Sequence, residues 1–138
     1  MGMYTEIMVT GSIPSTEVEA CMILHLLFNG EALPEGMVLP DHPFFTLSRW
    51  EFIGRCCSCY FPNFLSQSMI EKEEFSGDYC FTSVSSLKNY GGEIAAFFSW
   101  LRTTKADFFG YSRYEENPFD VTHYHTRYAE MTPFKEEG

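Results

Sequence analysis

Hydrophobic and polar residues alternate over residues 4–13, and this period of two predicts a β-strand. Ile7, Val9 and Ile13 fall on one side of that strand, and Glu6 falls on the other. Alternation of this kind is typical of a strand that buries one side and leaves the other polar. The chain is therefore predicted to begin with a strand of a sheet that has one face against the core.

Two segments have the spacing of amphipathic helices. The first is predicted from Thr16, which with Glu19 fits a capping box, to Gly30, which favours a helix end. The second begins at Glu93, and its apolar residues recur at i, i+3, i+4 and i+7. A helix with one apolar stripe needs a surface on which to bury it, so both helices are expected to pack on the predicted sheet.

The other segments complete an α+β chain. Prolines deny regular structure to residues 31–49, and a short helix is predicted around residues 47–54. A loop or an irregular strand is predicted at residues 62–74, a turn at Asn117-Pro118, and further strands at residues 56–61, 78–86, 107–115 and 121–128.

The resulting order is β-α-β-β-α-β-β, which favours a two-layer sandwich with both helices on one face of a mostly antiparallel sheet. This order is ferredoxin-like with one added C-terminal strand. We expect a single domain over residues 3–130, followed by a flexible polar tail at residues 131–138.

Composition adds a charge argument. The 138 residues are 45% hydrophobic and 17% aromatic, which excludes disorder over most of the chain. Nineteen acidic residues against nine basic ones give a net charge of −10, which disfavours direct binding of nucleic acid or of anionic membranes. The same charge would attract a basic protein partner, such as the basic channel of a nucleic-acid-processing complex. Alternatively, it only keeps an aromatic-rich protein soluble.

The cysteines and the N-terminus bear on the compartment. Five cysteines are an odd number, which disfavours a secreted disulfide framework. The pattern contains neither a signal peptide nor a membrane-spanning run, so we expect a cytoplasmic protein. Cys56, Cys57 and Cys59, with Cys80 downstream, contain one Cys-x-x-Cys spacing but lack a second. We interpret them as small apolar residues, and we expect no cofactor.

His123, His125 and Arg127 alternate, so they fall on one side of a predicted strand. The two histidines can hold a metal ion or an anion if His42 or a cysteine completes the site, or they can act as acid and base. The alternative is a solvated strand side whose opposite side, which includes Tyr124, packs inward.

Tyrosine, arginine and glutamate side chains are concentrated near the last two predicted strands. Tyr and Arg are favoured at interface hot spots, and paired carboxylates form either a cation site or a solvated turn. The predicted interaction surface consists of Tyr111, Arg113, Tyr114, Glu115, Glu116, Tyr124 and Arg127. No catalytic residue is assigned, and a homodimer is compatible with such a surface.

Four segments, at residues 39–45, 85–90, 93–100 and 110–116, resemble a family of small uncharacterised bacterial and phage proteins. The resemblance implies a small single domain and allows a mobile-element origin, but it implies no activity. The leading hypothesis is a non-enzymatic, acidic interaction protein, one version being an anti-CRISPR-like inhibitor that binds a basic surface of a host defence complex. The alternative is a small metal- or anion-dependent enzyme or ligand-binding domain built on His123, His125 and Arg127.

Overall fold

The alternating segment at the start of the chain forms the central strand of an antiparallel sheet. A computed structural model describes residues 4–54 and 67–126, and over these residues the chain is α+β, as predicted. The strands are β1 (Thr5–Ile13), β2 (Gln67–Lys72), β3 (Tyr79–Leu87), β4 (Asp107–Tyr114) and β5 (Asn117–His125). The helices are α1 (Val18–Asn29) and α2 (Glu93–Arg102), and short 3-10 helices occupy Pro43–Thr46 and Trp50–Phe52.

The strand order in the sheet is β2-β3-β1-β4-β5, and each neighbouring pair is antiparallel. The register places Met8 of β1 opposite Val84 of β3 on one side and opposite Tyr111 of β4 on the other. Because side chains alternate along each strand, this register sorts them into two faces. We call the face that holds Ile7 and Val9 the inner face, and the face that holds Met8 and Tyr111 the outer face.

Aromatic rings from both helices pack on the inner face. Phe28 of α1 contacts Phe81 of β3 with ring centroids 5.9 Å apart, and Phe98 of α2 stacks on Phe108 of β4 at 5.6 Å. Phe28 also contacts Phe97 of α2, so the helices meet each other as well as the sheet. Burying each such side chain stabilises the fold by about 1.5–3 kcal/mol relative to exposure, so these rings form the main core.

The first helix ends as predicted but begins differently. Gly30 has a φ of 72°, and its N–H donates to the carbonyls of His25 and Leu26, which closes the helix. The predicted capping box is wrong, because the residue before the helix is Glu17 and its side chain makes no cap bond. A turn bond from the Glu17 N–H to the Pro14 carbonyl leaves Thr16 outside the helix. In the described part of the chain, no helix is long and apolar enough to cross a membrane.

Strand β2 lies within the segment for which the sequence pattern predicted a loop or an irregular strand. Its inward side chains are Ser68 and Ile70, and the Ser68 hydroxyl bonds the Gly54 carbonyl and the Ser83 hydroxyl, each at 2.7 Å. Hydrogen bonds thus replace apolar contacts at one inner position. The segment therefore lacks the regular apolar alternation by which a strand is recognised in a sequence. The predicted strand at residues 56–61 lies outside the described residues, as does the predicted tail at 131–138.

The turn before β5 falls two residues earlier than predicted. It occupies Glu115 and Glu116, and β5 already begins at Asn117. The Glu115 N–H donates to the Tyr4 carbonyl at 3.0 Å, which holds this turn at the end of β1. The pairing of β4 with β5 contains a register shift between Ser112 and Tyr114, which is what a β-bulge produces when one strand carries an extra residue.

Candidate functional site

The strand register gathers the outer-face side chains into rows that cross the sheet. Residues directly opposite each other in antiparallel strands have Cα atoms about 4.5–5.5 Å apart, so the members of a row are neighbours. The rows are Ser86-Glu6-Arg113, Val84-Met8-Tyr111-His123 and Thr82-Thr10-Phe109-His125. The outer face therefore brings together Tyr111 and Arg113 from the predicted interaction surface with the two histidines from the predicted metal or anion site.

A charged pair lies at one end of this face. Glu6 is only 2% exposed, Arg113 Nε donates to Glu6 Oε1, and the Tyr111 hydroxyl donates to Glu6 Oε2 at 3.2 Å. A buried carboxylate is tolerated when a cation and hydrogen bonds compensate it, and here both oxygens are satisfied. The sequence pattern did not single out Glu6, although a glutamate inside a regular strand is the signal that can reveal such a pair.

The environment of Tyr111 predicts a stability change at alkaline pH. Burial, and after it the Glu6 carboxylate, raises the pKa of Tyr111 from 10.0 to about 12. Between these values the unfolded chain loses the phenolic proton while the folded chain keeps it, so stability is complete below pH 10 and falls as pH rises. We expect Tyr111→Phe to flatten this fall in urea unfolding measured at a series of pH values.

The matched control is Tyr79→Phe, a partly buried tyrosine of β3 whose ring packs edge-on against His25 at 4.9 Å. The Tyr79 control should retain the alkaline fall of the wild-type protein. If Tyr111→Phe and the wild-type protein lose stability equally between pH 10 and pH 12, the hydrogen bond from Tyr111 to Glu6 does not hold that proton.

Other members of the predicted surface lie elsewhere. Tyr124 is buried on the inner face, where its ring stacks on Phe98 with centroids 4.1 Å apart, so it does not contribute to the surface. The reason is strand alternation, which directs Tyr124 to the side opposite His123 and His125. Tyr114, Glu115 and Glu116 lie at the end of β4 and in the turn that follows it, and Arg127 lies outside the described residues.

A depression of about 510 Å³ occupies the other end of the outer face. Its lining includes Met69, Phe109 and His125, and the first two are 39% and 51% exposed. Asp107 belongs to the lining, and Glu71 lies directly opposite the lining residue Cys80. Met69 and Phe109 thus line one depression beside carboxylates, and Thr82 and Thr10 lie between them in the strand register.

The structure arranges the predicted metal ligands differently. Among the described residues, no group of three or more His, Cys, Asp or Glu side chains is placed to hold a metal ion. His42, proposed as a third ligand, instead accepts the Phe44 N–H at 3.0 Å and contacts the Ser99 hydroxyl of α2 at 3.3 Å. The alternative enzyme or metal-site hypothesis therefore receives no specific support from this part of the chain.

The described cysteines differ in exposure. Cys21 is buried in α1, and burial followed by the Glu17 carboxylate raises its pKa to about 11. Its thiol is therefore protonated near neutral pH and unsuited to nucleophilic attack. Cys80 is exposed on the outer face, contrary to the expectation of a buried apolar residue. Residues 56–59 lie outside the described residues.

Comparisons with protein-family models, curated proteins and solved structures give no match to this chain. The resemblance to small bacterial and phage proteins stays a prediction.

Proposed function

We propose that this chain is a cytoplasmic, non-enzymatic binding protein that engages a basic polypeptide through the outer face of its sheet. The observation that carries the proposal is the depression around Phe109 and Met69, where apolar side chains are exposed next to carboxylates. Exposed apolar side chains rimmed by polar groups are typical of protein interaction sites. An extended or helical segment of the partner would lie across the rows of the outer face and contact their polar and apolar side chains.

Charge favours a basic partner over an acidic one. The chain carries a net charge of −10, and Asp107 and Glu71 lie at the depression. Exposed Glu73 and Glu74 lie in the turn that joins β2 to β3, at the same end of the sheet. Such a field would accelerate encounter with a basic surface and repel acidic proteins and nucleic acid. An inhibitor of a host defence complex is one version, because nucleic-acid enzymes have basic channels.

The finer architecture belongs to the same proposal. A two-layer sandwich of ferredoxin-like order is supported by the strand order β2-β3-β1-β4, in which α1 connects β1 to β2 and α2 connects β3 to β4. The packing of Phe28 and Phe98 on one face of the sheet supports the same arrangement. With both helices on the inner face, the outer face would be left for a partner.

The proposal predicts selective binding of a basic amphipathic peptide. In calorimetric titrations, a peptide of alternating Arg and Leu should bind the wild-type protein, whereas one of alternating Glu and Leu should not. Because Phe109 is half exposed and lines the depression, Phe109→Ser should preserve the fold and weaken binding about tenfold or more.

The matched control is Phe119→Ser, because Phe119 of β5 is almost fully exposed and does not line the depression. It should bind the basic peptide like the wild-type protein. Equal losses in the two variants, or equal binding of the basic and acidic peptides, would contradict the proposal. Sedimentation of the free protein tests whether a second copy of the chain, instead of a partner, covers the outer face. A dimer that dissociates in Phe109→Ser would show that a second copy does.

A further inference from the structure

A second cavity, of about 620 Å³, lies at the opposite end of the sheet from the depression. It is bordered by the ends of β4 and β5 and by the segment that precedes α2, and its size is in the range of known ligand pockets. The side chains used in the argument below are Tyr90, Ser112, Tyr114, Asn117, Asp120 and Tyr124.

The cavity has aromatic sides and a polar floor. Tyr90 and Tyr114 are both exposed, so their rings are available to a ligand. Ser112 and Tyr124 are buried, and their hydroxyl oxygens lie 3.3 Å apart at the inner end of the cavity. Asp120 is exposed, and its Oδ2 accepts a long hydrogen bond of 3.4 Å from Asn117 Nδ2.

The electrostatics of the cavity favour a cation. Partial desolvation of its hydroxyl, and after it the carboxylates of Glu116 and Glu115, raises the pKa of Tyr114, so both carboxylates lie near that ring. Arg113 also borders the cavity, but its guanidinium pairs with Glu6 on the outer face. Asp120, Glu115 and Glu116 outnumber the Arg49 guanidinium that lies beside Tyr90, so the charges around the cavity favour a cationic ligand over an anionic one.

One contact within the chain already uses this chemistry. The guanidinium carbon of Arg49 lies over the Tyr90 ring, 4.9 Å from its centroid. Tyr90 borders the cavity and Arg49 does not, so the same aromatic ring that already receives one guanidinium within the chain also faces a ligand site. A guanidinium is well suited to such a place, because its planar group stacks on aromatic rings and pairs bidentately with a carboxylate.

We propose that this cavity binds an arginine side chain of the partner, against the rings of Tyr90 and Tyr114 and paired with the Asp120 carboxylate. The identity of the partner as a basic polypeptide rests on the proposed function, and the cavity adds a pocket selective for arginine. A lysine side chain would bind more weakly, because an ammonium group neither stacks nor forms a bidentate pair.

The experiment is a nuclear magnetic resonance titration of the protein with N-acetyl-arginine amide. The neutral isostere N-acetyl-citrulline amide is the ligand control, because it keeps the shape and lacks the charge. The arginine compound should shift the backbone amides around the cavity, and Asp120→Asn should weaken its binding about tenfold or more. Asp41→Asn removes the same charge from an exposed loop outside the cavity, so it should leave the affinity unchanged.

Three results would overturn this inference: equal binding of the citrulline compound, an equal loss in Asp41→Asn, or shifts scattered over the acidic surface. Its failure is distinguishable from failure of the proposed function. If the basic peptide binds and depends on Phe109 while the arginine compound misses the cavity, only the arginine pocket is wrong. If the arginine compound binds at Asp120 while the basic peptide does not bind, only the outer-face proposal is wrong.

Discussion

Arg113→Met is expected to lower the free energy of unfolding by about 3 kcal/mol, because it leaves the Glu6 carboxylate buried without its cation. Glu6 is 2% exposed, so water cannot readily replace the lost guanidinium. The Arg113 side chain is 26% exposed, which places the expected loss at the lower end of the range for buried pairs. Urea unfolding followed by circular dichroism measures it.

The double variant Glu6→Leu/Arg113→Met tests the cause of that loss. Replacing both members of a buried pair by apolar residues is often neutral or stabilising, so the double variant should be more stable than Arg113→Met alone. If the double variant is no more stable than the single one, the loss comes from the packing of the Arg113 side chain. The charge at Glu6 would then not be its cause.

The Glu6–Arg113 pair also connects the fold to the proposed binding surface. Glu6 receives the Tyr111 hydroxyl, and Tyr111 lies directly opposite His123 on β5. Removing the pair is therefore expected to loosen the Tyr111 end of the outer face while leaving the depression at Phe109 in place. The pair thus has a positioning role at one end of the surface, and the exposed apolar side chains provide the contact area at the other.

The strength of each local pattern decides what the sequence reveals. The alternation of β1 and the spacing of α2 each come from several strongly apolar residues. β1 forms within one residue of its predicted bounds, and α2 begins at the predicted Glu93. The pattern of β2 is weak because Ser68 satisfies an inner position by hydrogen bonding instead of apolar packing. The hydrophobicity pattern of such a strand therefore does not distinguish it from a loop.

The candidate sites depend on register, which no local pattern contains. Glu6 and Arg113 lie opposite each other on strands that are far apart in the chain. Met69 lies opposite Thr82 on the strand that follows β2. Tyr124 is the instructive contrast. Alternation with His123 and His125 already assigned it to the inward side, but its residue type placed it in the predicted surface, and the alternation was the better guide.

Gly110→Ala is expected to lower the free energy of unfolding by about 3 kcal/mol, near the upper end for overpacking a core. A Cβ at this position would overlap the Met8 carbonyl oxygen of β1 and lie 2.8 Å from Cζ of Phe98. The backbone oxygen is fixed by the sheet, and the Phe98 ring is held between Phe108 and Tyr124. Neither neighbour can move without disturbing β1, β4 or α2.

Backbone preference alone predicts that Gly110→Ala raises the free energy of unfolding, so a measured loss would have to come from the close packing around Gly110. Gly110 does not have a positive φ, and at such a position alanine normally stabilises a chain by about 0.4–1 kcal/mol relative to glycine. Gly36→Ala is the matched control, because Gly36 has a φ of 84° and open space around it, so only backbone strain of about 1–2 kcal/mol is added. Urea unfolding should therefore give Gly110→Ala a lower free energy of unfolding than Gly36→Ala. The reverse ranking would mean that α2 does not pack on β4 as closely as the contact between Phe98 and Gly110 requires.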